Sequence, residues 1–146
     1  MFEGWYFKLQ KDDNLIAFIP GRCRDNAFIQ VVTCDKSYNF NYPLSEYRKR
    51  EIINVGNNKF SMDGMKVNIG NLIKANIKYN NITPIKYDIM GPFKYLPMQC
   101  RHSVISMRHD LTGSVTVDGR TIDLTGGIGY IEADSGNSFP KSYLWL

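Results

Sequence analysis

Apolar and polar positions alternate along this chain in short runs, and Gly, Asn and Asp-Gly separate one run from the next. The runs "GWYFKLQ", "NLIAFIPGR", "AFIQVVTCD" and "NLIKANIKY" are rich in β-branched and aromatic residues and read as strands. Their connectors are short, as in a meander. No segment of ten or more residues keeps a helical period; "SEYRKREIIN", with Ser45 as its cap, comes nearest.

Two Asp-Gly turns give a register that can be checked. A two-residue turn at Asp118-Gly119 sets Val115 opposite Ile122, Thr116 opposite Thr121 and Gly113 opposite Leu124. Val115, Val117, Ile122 and Leu124 then share an apolar face, so both strands agree on which side is buried. At Asp63-Gly64 the same test sets Phe60 against Val67 and Met62 against Met65, with Ser61 and Lys66 on the polar side.

Strands this closely spaced predict an all-β fold, an antiparallel barrel or strongly curved meander, incomplete if the chain is part of a larger architecture. Closure removes exposed edges and gives a lumen for a ligand. The 146 residues suit one domain, 1–146, and no repeat or linker marks a second.

Composition narrows the function classes. The net charge of +4 is concentrated in "EYRKRE", Glu46 to Glu51, which reads as a solvated loop. Without a recognisable motif it does not argue for nucleic acid. The apolar runs are far shorter than the roughly 20 residues of a membrane span. "MFEGWYFKL" lacks the pattern of a secretory signal, so a cytoplasmic location is the default expectation. Cys23, Cys34 and Cys100 are odd in number and widely spaced, which predicts reduced, buried thiols.

The candidate chemistry lies near the end. Tyr130, Glu132 and Asp134 share one face of a strand, with Ile131 and Ala133 on the other. Desolvated in a partly apolar cavity, a carboxyl there is a proton donor and its neighbour a stabiliser of positive charge. The competing reading is a solvated face, or acids that cap turns. His102 and His109 are the two histidines, seven apart in one strand, and alternation sets them on opposite faces. Cys100 and Val104 flank His102 and suit an inward position, where it would orient or relay a proton. The alternative for each is a core histidine. No set of residues has the spacing of a metal site, and "GGIG" has no helix after it to make a phosphate loop, so neither metal nor cofactor is expected. Trp5, Tyr6, Phe93, Tyr95 and Tyr130 are candidates to line a ligand pocket, against the alternative of core packing.

The block "GPFKYLPMQCRHSVISMRHDLTGSVTVDG", then "IDLTGGIGYIEADSGNSFPKSYLWL", and the opening "FEGWYFK" resemble the tocopherol cyclase-like family. The resemblance implies a lipocalin-like barrel, related in architecture to carotenoid hydratases, with this chain as the first half of a longer protein. It also implies cyclisation of a prenylated quinol to a chromanol, in which a prenyl double bond is protonated and the phenol oxygen captures the cation. Asp134 or Glu132 would be the donor and His102 the relay. Two positions depart from the family: Ser135 stands where its members usually have Trp, and Asn137 where a basic residue is common. Other readings are a hydratase, with water in place of the phenol, or a binder of an apolar isoprenoid that does no chemistry. The expected partner is an apolar prenylated small molecule. Peripheral membrane contact and packing against a second β domain or second chain are open as well.

Overall fold

The computed structural model describes residues 1–137; the Ser-Phe-Pro block and the terminal "SYLWL" lie outside the described residues. Within the described residues twelve strands follow one another: β1 (Phe2–Lys11), β2 (Asn14–Cys23), β3 (Asn26–Thr33), β4 (Ser37–Pro43), β5 (Tyr47–Lys49), β6 (Ile53–Val55), β7 (Asn58–Phe60), β8 (Gly64–Ile69), β9 (Ile73–Thr83), β10 (Cys100–Val117), β11 (Arg120–Asp123) and β12 (Ile128–Gly136). The described residues include no α-helix. "SEYRKREIIN" forms a single 3-10 turn at Leu44–Glu46 and then enters β5. No helix among them is long and apolar enough to cross a membrane.

These strands all pair antiparallel, in the spatial order β4-β3-β2-β1-β12-β10-β9-β8-β7-β6-β5, with β11 beside β10. The fold is a lipocalin-like barrel that is nearly closed, with one seam unsealed between β4 and β5. Period-two alternation puts Phe7, Leu9, Phe18, Ile29, Phe60, Val115 and Ile131 on the inner face, each 1 % exposed or less. The rings of Phe7 and Phe60 stand 5.5 Å apart and those of Phe18 and Phe60 6.4 Å apart. Side chains therefore fill this part of the barrel, each contributing about 1.5–3 kcal/mol by leaving water.

The two hairpins behave differently. Val115 pairs with Ile122 and Thr116 with Thr121, as the Asp118-Gly119 turn predicts, and both turn residues take positive φ. At Asp63-Gly64 the register differs, because Phe60 pairs with Met65 and Lys59 with Lys66. The turn there is longer: the Ser61 amide donates to the Gly64 carbonyl, and the Ser61 hydroxyl accepts from the Asp63 amide. The slip is two residues, an even number, so Phe60, Met65 and Val67 still point inward.

One further expectation is corrected. Cys23 and Cys34 are exposed rather than buried, though no cysteine is in a disulfide. Within "EYRKRE" the charged residues are exposed, as expected of a solvated run, and only Tyr47 is partly buried; Tyr47 and Lys49 share a strand face and both reach Glu3.

Candidate functional site

The mid-strand acids are on the outer face of the barrel. In the β1–β12 pairing Phe7 opposes Ile131, both in the core, so Tyr6 opposite Glu132 and Lys8 opposite Tyr130 belong to the other side. His102 pairs with Asp134 on that side. The expectation that Glu132, Asp134 and His102 face a lumen is thereby corrected. Alternation shows which residues share a face, and only the packing of Phe7 and Ile131 shows which face is inside.

On the outer face these side chains form one connected chain. The Tyr130 hydroxyl donates to Glu132 Oε2 at 2.6 Å. That oxygen lies 3.6 Å from His102 Nε2, an ion-pair distance. On the far side of the ring, His102 Nδ1 meets Asp134 Oδ1 at 2.5 Å. Three strands supply the groups: β12 gives Tyr130, Glu132 and Asp134 at every second residue, β10 gives His102, and β1 gives Tyr6. Gly4 lies opposite Asp134, and a Cβ there would meet nothing within 4 Å, so β1 leaves the carboxylate uncovered from its side.

The phenols remain donors. Burial pushes the Tyr130 hydroxyl well above its ordinary value, and the hydrogen bond to Glu132 and that group's charge add to it. Burial also raises Tyr6, and the Glu132 carboxylate raises it further. The Cys100 thiol is raised by burial and by the charge of Asp134.

An open cleft of about 420 Å³ continues from the chain along the same face. Tyr6, Lys8, Met107, Arg108, Ile128 and Tyr130 line it, so Tyr130 belongs to both cleft and chain. Met107 and Arg108 gave no signal in the sequence, because β10 reaches the cleft through irregular register between Val104 and His109. The same chain is the set of described residues best able to hold a cation: ligand atoms of His102, Glu132 and Asp134 lie within 4.8 Å of one another. Sequence spacing concealed that set, because the three side chains meet across strands.

The predicted aromatics do not gather. Tyr6 and Tyr130 flank the chain on the outer face. Trp5 points inward, stacked 6.4 Å from Phe7 with Lys49 Nζ 5.1 Å above its ring. Phe93 and Tyr95 are exposed on a 3-10 turn between β9 and β10.

His109 is inside, as opposite faces require. It is 1 % exposed, and its Nδ1 lies 3.1 Å from the Ser106 hydroxyl. Ser106 donates to the Arg108 carbonyl, so its oxygen accepts from Nδ1–H. Nε2 is then a bare acceptor, buried with no partner among the described residues. Burial drives the pKa of His109 down to about 4, against a smaller upward pull from Asp110. Tyr79, itself buried, packs with its ring centroid 4.3 Å from that of His109.

No family model matches the chain, and no curated protein matches it. Among solved structures it is similar to a protein of Nitrosomonas europaea described as a "putative AttH", with a TM-score of 0.59 and 11 % identity. The match covers 96 % of this chain and 52 % of that one, so this chain spans about half the length of its structural relative. At that identity the likeness is one of fold.

Proposed function

We propose that the outer face of β1, β12 and β10 is an acid–base site that closes a prenylated quinol to a chromanol. The observation that carries this reading is the chain Tyr130–Glu132–His102–Asp134 at the edge of a cleft, joined by two hydrogen bonds and one ion-pair contact. Nothing in core packing asks for these groups, because they stand on the side of the sheet away from the core.

In the proposed reaction the proton held between His102 and Asp134 is delivered to the prenyl alkene. The tertiary cation is captured by the phenol oxygen, and Glu132 accepts the phenolic proton that is released. The substrate gains one proton and loses one, so the product is an isomer. Ring faces of Tyr6 and Tyr130 beside the cleft stabilise the cation. Apolar Met107 and Ile128 suit a prenyl chain, and Lys8 and Arg108 suit the polar ring. The resemblance to tocopherol cyclase-like proteins supplies the reaction class, and we read the chain as one half of such an architecture.

Incubation of the purified protein with prenylated hydroquinones, followed by mass spectrometry for the chromanol, tests the reading. Asp134→Asn is expected to lower turnover by about 10²–10⁴-fold, the usual weight of a general acid. Ligand binding without turnover, unchanged by that substitution, would contradict it.

A further inference from the structure

A second cluster occupies one rim of the barrel, away from the acid–base chain. Arg22, Glu3, Ser135 and Arg101 stand side by side across β2, β1, β12 and β10, each paired with its neighbour in register. Paired residues share a face, so all four side chains project on the inner side of the sheet.

Charge in this row is unbalanced. Glu3 is shared by two cations: Arg22 Nε lies 3.4 Å from its carboxylate, and Lys49 reaches it from β5 across the interior. The Tyr47 hydroxyl donates to the same carboxylate at 3.2 Å. Burial works to raise the pKa of Glu3, but Lys49, Tyr47 and Arg22 outweigh it, and the group is held below its ordinary value. Arg101, at the other end of the row, has no ion-pair partner among the described residues. One carboxylate therefore faces three cations. Two donors here are also unsatisfied among the described residues: Arg22 Nε, whose contact with Glu3 lacks hydrogen-bond geometry, and Trp5 Nε1 beneath Lys49.

The middle of the row is open. Ser135 contributes only a hydroxymethyl group between Glu3 and Arg101, and a cleft of about 320 Å³ lies there. Arg22, Arg101 and the already paired Glu3 carboxylate are its charged lining, and Met1, Phe2 and Met98 its apolar lining. Neighbouring strands are about 4.8 Å apart, so two arginines three strands apart reach toward a common point over Ser135.

We infer that this rim binds an amphipathic anion, a carboxylate or phosphate group carried on an apolar chain, with Arg22 and Arg101 on the charged end and Met1, Phe2 and Met98 against the chain. The inference does not depend on the acid–base reading, because the two clusters share no residue and face opposite sides of the sheet.

Calorimetric titration with laurate, dodecanol and inorganic phosphate separates the contributions. Laurate is expected to bind at least about tenfold more tightly than dodecanol, which lacks the charge, and more tightly than phosphate, which lacks the chain. Arg101→Gln, at an exposed position, is expected to weaken laurate by about tenfold while circular dichroism stays unchanged. Ser135→Trp, which fills the cleft, is expected to abolish binding. Equal binding of laurate and dodecanol, equal binding of laurate and phosphate, or laurate binding that neither variant alters would each overturn the inference. So would folded wild-type protein that binds no laurate.

Discussion

His102 and His109 leave the same strand seven residues apart and meet opposite conditions. His102 lies between two carboxylates on a face that water reaches, 2.5 Å from Asp134 and 3.6 Å from Glu132. His109 is sealed in the core against Tyr79, with one nitrogen bonded to Ser106 and the other bonded to nothing among the described residues. A charged imidazole has partners at the first position and would lack them at the second. The same side chain is thus suited to proton transfer on the outer face and held neutral in the core. What distinguishes them is the packing behind each, since both sit on one strand, with two register shifts of β10 between them.

The contrast can be broken most sharply at Gly129, which opposes His109 on β12. A Cβ there would fall 2.1 Å from His109 Nε2 and within 2.7 Å of two ring carbons. Gly129→Ala should lower the unfolding free energy by about 3 kcal/mol, at the upper end for overpacking. Urea denaturation measures it, and adding His109→Ala should recover part of the loss, as a coupled pair does.

A comparable effect should follow from pH alone. His109 has a folded pKa of about 4 against an unfolded value of 6.5, so below 6.5 the unfolded chain binds the extra proton. Stability contributed by its neutral state is complete above pH 6.5, falls as pH drops, and is exhausted near pH 4. The loss across that window is about 3 kcal/mol, because the two pKa values differ and each tenfold change in proton affinity is worth about 1.36 kcal/mol. Denaturation midpoints followed from pH 7 to 4 should show this slope in the wild type, and His109→Leu should flatten it.

The smallest stability effects belong to the outer face. Asp134→Asn and His102→Gln each remove one partner from a partly exposed pair, for which a change of no more than about 1 kcal/mol is expected. Thermal unfolding checks this. A loss as large as that of Gly129→Ala would mean that the outer chain is structural, and the comparison between the two histidines would fail.

Much of this was legible in the sequence, and the rest was hidden for identifiable reasons. The Asp118-Gly119 hairpin followed from turn chemistry and from matching apolar faces, because a two-residue turn leaves a single register. The Asp63-Gly64 hairpin slipped because Ser61 offers the backbone its own hydrogen bonds, and sequence alternation does not register a shift of two. That Tyr130, Glu132 and Asp134 share a face was readable from spacing. Which face is inside was not, because the opposite side offers Gly129, Ile131 and Ala133, of which only Ile131 is a large apolar group. Cys100 and Val104 made the side of His102 look inward, yet the core packs against the other side of β10. Trp5, Tyr6 and Phe7 formed one aromatic run in the sequence, and the pleat divided them, Trp5 and Phe7 inward and Tyr6 outward. The rim row was invisible for the same reason as the three-residue cation set: its members meet only through strand pairing.

On the proposed reading, His102 serves chemistry, whereas His109, buried in the core, serves stability. That division is tested most directly by measuring chromanol formation and unfolding free energy together on His102→Gln and His109→Gln. The account predicts that His102→Gln keeps its stability within about 1 kcal/mol and loses turnover by about 10²-fold or more, whereas His109→Gln is destabilised and its folded fraction still turns over. Wild-type turnover at the rate of His102→Gln, with both proteins equally folded, would contradict it.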